Sequence, residues 1–149
     1  RIIVLSRATG FLSHRILQNE NVLVDRLRSF SQNIQVDVFS HSLQLSDDIN
    51  VMQSADVVVG LHGGAFGNIV FCRKGTIVIE MNAPEEGGRQ CFGYVSYNLN
   101  LNYYRYGSNR SDYDEIENPS NFYGTKVNVN VNKFMEYFER VLKENNLSF

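Results

Sequence analysis

Cysteine, histidine and an excess of charge of one sign are all scarce in this chain. Its 149 residues include two cysteines, Cys72 and Cys91, and three histidines, and their spacing fits neither a zinc or other transition-metal site nor a dense disulfide framework. Cys72 follows the apolar Ile69, Val70 and Phe71, which favours a buried free thiol over a Cys72 to Cys91 bridge. With 14 Lys+Arg against 16 Asp+Glu the formal charge is -2. No general attraction to nucleic acid or to an anionic membrane follows from that balance, so any anion site has to be local. No apolar run approaches the roughly 20 residues of a membrane span, and the first residues lack the charged, apolar and small-residue regions of a signal peptide. Internal repeats and low-complexity linkers are absent as well.

What is present is enough for one core. A 43% hydrophobic chain of this length folds as a single domain that buries roughly 70% of its unfolded surface. It opens without Met, directly on the strand-like Arg1-Ile2-Ile3-Val4-Leu5, and so reads as residues 1–149 of one domain within a longer protein. The run Ile2 to Leu5 predicts a central strand. After a loop from Ala8 to Ser13, Leu23, Leu27 and Phe30 fall at helical spacing, with Asn19 as a candidate cap and Glu20 in the first turn. Val36, Val38 and Phe39 mark a second strand. Ser46 is the expected cap of a helix carrying Asp47 and Asp48, with Ile49 and Met52 inward. A strand at Asp56 to Val59, a glycine loop, a short helix near Ala65 to Phe71 and a strand from Thr76 to Ile79 ending at Glu80 complete an alternating pattern. That alternation predicts an α/β, Rossmann-like parallel sheet with flanking helices. Beyond Pro84 the expectations are a polar loop, a helix over Gln90 to Asn98 packing Phe92 and Tyr97, and an outer strand over Leu101 to Tyr106. Ser108 to Gly124 reads as a surface loop with no regular core element. The final helix carries the seam Val131, Phe134, Met135, Phe138, Val141 and Leu142.

Three groups of residues carry candidate chemistry. The first is Gly60-Leu61-His62-Gly63-Gly64-Ala65-Phe66-Gly67-Asn68, where glycines follow a buried strand and open a helix, so backbone N–H groups can approach an anion such as a diphosphate. A tight structural turn would use the same glycines; His62 and Asn68, with their hydrogen-bonding capacity, tip the reading toward a ligand at the strand ends. The second is Glu80, placed to accept hydrogen bonds from ribose hydroxyls, or alternatively paired with a nearby Arg. The third is Arg7, Arg15, Asn19 and Glu20, on the same predicted edge, where Arg can recognise phosphate and offset leaving-group charge without metal. Asp112-Tyr113-Asp114 has DxD spacing but sits in the irregular loop, so a divalent metal is not expected. His62-Gly63-Gly64 is similar to an oxyanion loop of lipases; the GxSxG nucleophile elbow that chemistry needs is missing.

The chain resembles glycosyltransferase family 61 over most of residues 1 to 106. The resemblance runs through Leu5-Ser6-Arg7, Arg15-Ile16-Leu17-Gln18-Asn19-Glu20, Ala55 to Ala65 with Asn68, and Gly75 to Glu80. Where the family's loop looks like HGAGLTN, this chain has His62-Gly63-Gly64-Ala65-Phe66-Gly67-Asn68, and Arg73-Lys74 replaces a Pro-Pro-like pair. The resemblance implies the C-terminal, donor-binding half of a GT-B enzyme, facing an N-terminal half across a cleft. It implies transfer from a nucleotide sugar, UDP-linked in this reading, to a hydroxyl of a glycan or protein acceptor with inversion. Arg7, Arg15, Asn19, Glu20, His62, Gly63, Gly64, Asn68 and Glu80 would form the donor site, and His62 is a weaker candidate for the catalytic base. The setting implied is the lumen of the Golgi or endoplasmic reticulum, which the sequons Asn109-Arg110-Ser111 and Asn146-Leu147-Ser148 permit. A non-catalytic nucleotide or sugar-binding domain, or an interaction domain of the same fold, is the alternative.

Overall fold

The computed structural model describes residues 1–6, 15–40, 44–82, 91–117 and 125–148. In chain order the elements are β1 (Ile2–Leu5), β2 (Ile16–Leu17), α1 (Glu20–Arg28), β3 (Val36–Phe39), α2 (Leu45–Gln53), β4 (Val57–Leu61), a 3-10 helix (Gly64–Phe71), β5 (Ile77–Met81), α3 (Cys91–Asn98), β6 (Asn102–Tyr106), β7 (Tyr113–Glu117), β8 (Lys126–Val129) and α4 (Val131–Glu144). The loops expected at Ala8 to Ser13 and at Pro84 to Arg89 lie outside the described residues.

Five strands form one sheet in the order β3-β1-β4-β5-β6, every pairing parallel. The Rossmann-like α/β expectation is therefore what the chain adopts. Strands covered on both faces favour apolar side chains on both sides, which is why β1, β4 and β5 read as apolar runs, interrupted by charge only at Glu80 of β5. Their alternate residues point to opposite layers. Ile2, Val4, Val57, Val59, Ile77 and Ile79 meet Leu23, Val24 and Leu27 of α1 and Phe134, Phe138 and Val141 of α4. Ile3, Leu5, Val58 and Val78 meet Met52 of α2 and Phe66 and Ile69 of the 3-10 helix, with Phe92 and Val95 of α3 packed alongside. The seam predicted for the last helix is buried at Phe134, Met135, Phe138, Val141 and Leu142. That helix is capped by the Asn130 side chain, which accepts from Lys133 N at 3.1 Å.

Four local expectations are revised. The helix α2 begins at Leu45 with Gln44 in the cap position, one turn-fraction ahead of Ser46; Asp48 is fully buried with Met52. In α3 the inward residues are Phe92, Val95 and Ser96, at helical spacing, so Tyr97 falls on the opposite side and is 83% exposed. The stretch read as a surface loop contributes β7, whose Tyr113 is buried. It pairs antiparallel with β8, and β8 pairs parallel with β2, forming a three-stranded sheet beside the main one. Val127 and Val129 of β8 and Leu17 of β2 carry it into the α1/α4 layer of the core. Finally, Asn19 stands at the N-cap position of α1 but its side chain makes no cap bond there. Its Nδ2 donates to Val129 O at 2.8 Å and its Oδ1 accepts from Val129 N at 3.0 Å, so it clamps β8 to the start of the helix. Both cysteines are free thiols, Cys72 half-buried and Cys91 exposed. Burial pushes the Cys72 thiol up to about 11, against the opposing pull of Arg73.

Candidate functional site

The strand order places a topological switch point between β1 and β4. From β1 the chain passes to α1 in one layer, and from β4 it passes to the 3-10 helix in the other. Divergence of this kind opens a crevice beyond the carboxyl ends of the two strands, the place where ligands bind in open parallel sheets. Leu5 lies opposite Gly60 in the register, so Ser6 and the segment from Leu61 onward form the rim of that crevice.

The glycines of this segment divide by what each would meet as alanine. A Cβ at Gly60 would stand 2.9 Å from Leu5 Cβ and 3.3 Å from Phe66 Cε2. Close packing of the helix against the strand accounts for that residue. Gly63 adopts φ 156° with ψ -178°, a region essentially closed to side-chain-bearing residues, and it turns the chain into the 3-10 helix. Gly64 and Gly67 are different. A Cβ at either position would meet nothing within 4 Å, and both residues are exposed. Being three apart, they eclipse one another on a 3-10 helix and leave a bare row of backbone, continued by the 47% exposed Val70. Phe66, which replaces the family-like Leu, is fully buried beneath Gly60 and lies against Phe92 with centroids 5.5 Å apart. The pair Arg73-Lys74 is remote from the crevice: Arg73 bonds Asp56 at 3.0 Å, just before β4 starts.

Behind the loop lies a buried polar relay. His62 is 4% exposed and its backbone N–H donates to Met81 O at 2.8 Å, which ties it to the end of β5. Its Nδ1 is hydrogen-bonded to Oε1 of Glu80, and the hydroxyl of Tyr103 donates to Oε2. Glu80 is fully buried. Its carboxyl group meets protein partners, His62 and Tyr103, where the sequence suggested ribose hydroxyls or an Arg. The Tyr103 phenol ionises well above its ordinary range, first because it is buried and then because it is bonded to Glu80. Tyr103 itself escaped the sequence reading, although its alternation along β6 put it on the same layer as Glu80 and a small residue, Gly93, makes room for it. A Cβ at Gly93 would lie 3.2 Å from Tyr103 Cε1.

The remaining sequence candidates among the described residues fall on several different elements. Ser6 donates to Glu20 Oε1 at 2.7 Å, joining the end of β1 to the first turn of α1. Arg15 is buried, 7% exposed, immediately before β2. Asn19 is committed to Val129, as described. Asn68 is partly exposed on the 3-10 helix. Arg7 lies outside the described residues. Asn82, just past β5, was not singled out; it is fully buried, and among the described residues neither polar atom of its side chain has a partner. Asp112 and Asp114 are held apart, Asp112 accepting from Asn109 N at 3.0 Å and Asp114 from Asn130 Nδ2 at 2.8 Å. Among the described residues no group of three or more His, Cys, Asp or Glu converges to hold a metal, and no helix is long and apolar enough to cross a membrane.

Comparison with known proteins bears on this arrangement. The sequence profile of Glycosyltransferase 61 matches residues 1–79, from β1 to the middle of β5, and so includes the switch point and the whole glycine loop. Over 89 residues, 58% of this chain, the sequence is 26% identical to the EGF domain-specific O-linked N-acetylglucosamine transferase of Gallus gallus. The matched part spans 16% of that relative's length. Since the profile covers more than half of the 149 residues and its glycine segment is the one that lines the crevice, the chain belongs to glycosyltransferase family 61.

Proposed function

We propose that this chain is the donor-binding part of an inverting glycosyltransferase, taking a nucleotide sugar, UDP-linked in our reading, in the crevice between β1 and β4. The observation that carries the proposal is the pair Gly64 and Gly67. A glycine kept for packing or for a turn shows it by a clash or a positive φ, and these two show neither. Uncovered backbone at the start of a helix suits an anionic diphosphate, and a protein with a formal charge of -2 needs such a local feature to hold one. In the reaction, an acceptor hydroxyl oxygen forms a bond to the anomeric carbon from the face opposite the leaving group. The bond from that carbon to the diphosphate oxygen breaks, the nucleoside diphosphate departs with the electron pair, and a base takes the hydroxyl proton. Arg7 and Arg15 are assigned to the charge of the diphosphate, the backbone of Gly63 and Gly64 to its oxygens, and Asn68 to the sugar. Glycan or protein hydroxyls are the acceptors, an N-terminal half of the same protein supplies the other cleft wall, and no metal takes part. The compartment we assign is the secretory lumen; both sequon asparagines, Asn109 and Asn146, are exposed.

Titration calorimetry of nucleotide sugars, with and without a divalent cation, tests the reading. UDP-sugar binding that survives chelation and is lost in Arg7→Ala and Asn68→Ala is the expected result. Unchanged affinity in both variants removes the proposed site. One observation favours a second reading, a non-catalytic binding or interaction domain: Asn19 and Glu80, both expected at the donor, have their polar atoms engaged within the protein. Transfer by the full-length protein separates the two, because only the first reading produces it.

A further inference from the structure

The fold treats the two sequons, Asn109-Arg110-Ser111 and Asn146-Leu147-Ser148, differently. Asn-X-Ser is the acceptor pattern of N-glycosylation, which attaches a bulky, hydrated group that only a surface position accommodates. Both asparagines are exposed, so exposure does not separate them. Their surroundings do.

The first sequon is tied into the end of the main sheet, shortly after Tyr106 closes β6. Asn109 N donates to Asp112 Oδ2 at 3.0 Å, Arg110 Nη1 donates to Tyr113 O at 2.9 Å, and Ser111 O accepts from Lys133 Nζ at 2.9 Å. Asn109 also borders a cavity of about 350 Å³ together with Lys133, Glu136 and Arg140 of α4. A glycan rooted there would stand at the carboxyl edge of the sheet, the edge that carries the crevice.

The second sequon lies at the opposite edge. The end of α4 meets the start of β6, where Asn102 Nδ2 donates to Asn145 Oδ1 at 2.7 Å and Asn145 Nδ2 donates to Tyr104 Oη at 2.8 Å. Leu147 is anchored too, its N–H donating to Leu142 O at 3.0 Å and its side chain packing on the core. Between these held neighbours Asn146 adopts φ 52°, a left-handed conformation that Asn tolerates, and among the described residues its carboxamide has no hydrogen bond. A helix end accounts for Asn in that conformation without any sugar. It places no demand on Ser148, which is exposed and whose hydroxyl is equally unbonded. The five residues of β6 span about 17 Å at roughly 3.3 Å per residue, so a sugar on Asn146 is rooted at that remove from the strand ends that form the crevice.

We infer that Asn146 carries an N-linked glycan in the exported protein and that Asn109 stays bare, an inference that rests on the secretory setting proposed above. In the modifying step, catalysed by an oligosaccharide transferase of the host cell, Asn146 Nδ2 forms a bond to the anomeric carbon of a lipid-diphosphate-linked oligosaccharide. The bond from that carbon to the phosphate oxygen breaks, the lipid diphosphate leaves with the electron pair, and the amide nitrogen gives up one proton. A hydrated glycan at this position keeps the amino edge of the sheet uncovered, so the rest of the protein meets this domain elsewhere.

The test is peptide mass spectrometry of the full-length protein, exported by cultured eukaryotic cells, before and after peptide N-glycosidase F treatment in heavy-oxygen water. The expected result is a glycan, and the heavy label that replaces it, on Asn146 and not on Asn109; it should be lost in Ser148→Ala and kept in Ser148→Thr and in Asn109→Gln. A glycan on Asn109, or a bare Asn146 in protein recovered from the lumen, overturns the inference. Protease protection of membrane vesicles from the same cells reads the compartment: protein outside the lumen overturns both the glycan and the secretory setting, and leaves the donor site to calorimetry. Ser148→Ala should bind UDP-sugars with the Kd of the parent, and a weakened Kd contradicts the separation of Asn146 from the crevice. If neither form binds a nucleotide sugar while Asn146 is glycosylated, the functional reading fails and the modification site is retained.

Discussion

Alanine at Gly64 should make this protein more stable and worse at binding its donor. The added methyl meets no atom within 4 Å and replaces a residue of high backbone entropy in the unfolded chain, so stability should rise by about 0.5–1 kcal/mol. At roughly 2–4 °C per kcal/mol for a domain of this size, that is a Tm increase of about 1–4 °C. The same methyl occupies the space through which a diphosphate would reach the backbone beside Gly63. Loss of one hydrogen bond to a charged group costs about 1.5–3 kcal/mol, or roughly tenfold to a hundredfold in Kd. Gly67→Ala is the internal control. It shares the open surroundings but lies about 6 Å further along the helix, at roughly 2 Å per residue, so its Tm should rise similarly while Kd changes less. Differential scanning fluorimetry gives the first quantity and calorimetry with UDP-sugars the second. A stabilised Gly64→Ala protein that binds as tightly as the parent refutes the ligand role of the bare row; a destabilised one refutes the claim that nothing in the fold needs glycine there.

Gly60→Ala should move in the opposite direction, losing about 1–3 kcal/mol by overpacking, because the Cβ it would crowd, that of Leu5 at 2.9 Å, belongs to a central strand; a lowered urea midpoint checks this. Asn19→Ala leaves the N–H and C=O of Val129 without their side-chain partner and should cost about 1–3 kcal/mol, with faster hydrogen exchange at the Val129 amide. Replacing Asn82, whose buried amide has no partner among the described residues, with the similarly sized Leu should stabilise the fold by about 1–2 kcal/mol; a fall in Tm would show that the amide is bonded in solution. For Cys72, a thiol shifted to about 11 is only about one part in a thousand thiolate at pH 8. Iodoacetamide should therefore modify the exposed Cys91 first, and Cys72 should gain reactivity as the pH is raised toward 11.

The main sheet was legible because burial on both faces erases alternation: Ile2 to Leu5, Val57 to Leu61 and Ile77 to Met81 are apolar wherever they point, with Glu80 the exception that marks chemistry. The second sheet was not, for a reason that lies in its sequences. In β7 the run Tyr-Asp-Glu-Ile-Glu buries Tyr113 alone, and β2 is two residues long. Neither is long or apolar enough to signal a strand, and both are ordered by β8, where Val127 and Val129 are inward. Tyr97 was assigned to the core by its aromatic character. Spacing decided otherwise, since Phe92, Val95 and Ser96 already define the buried side of α3.

Position along an edge and chemical partnership are different kinds of information, and the candidate site separates them. That His62, Glu80 and the end of β1 meet at one rim follows from element order alone, because parallel strands end together and the switch point follows from their order. Which donor fills which acceptor does not follow, since the pairs are contributed by distant segments. Asn19 reaches Val129, 110 residues away, and Tyr103 reaches Glu80, 23 residues away. A buried carboxylate always demands donors, so the sequence could state that Glu80 needs partners, yet ribose, Arg, His and Tyr all answer that demand equally well on paper. The fold chooses among them through a small residue, Gly93, whose missing side chain admits the Tyr103 ring. The glycines that matter to this site are accordingly of three kinds: those that admit a neighbour from within, as Gly60 and Gly93 do, the one that turns the chain, Gly63, and those that admit nothing internal, Gly64 and Gly67. Only the last kind argues for a ligand.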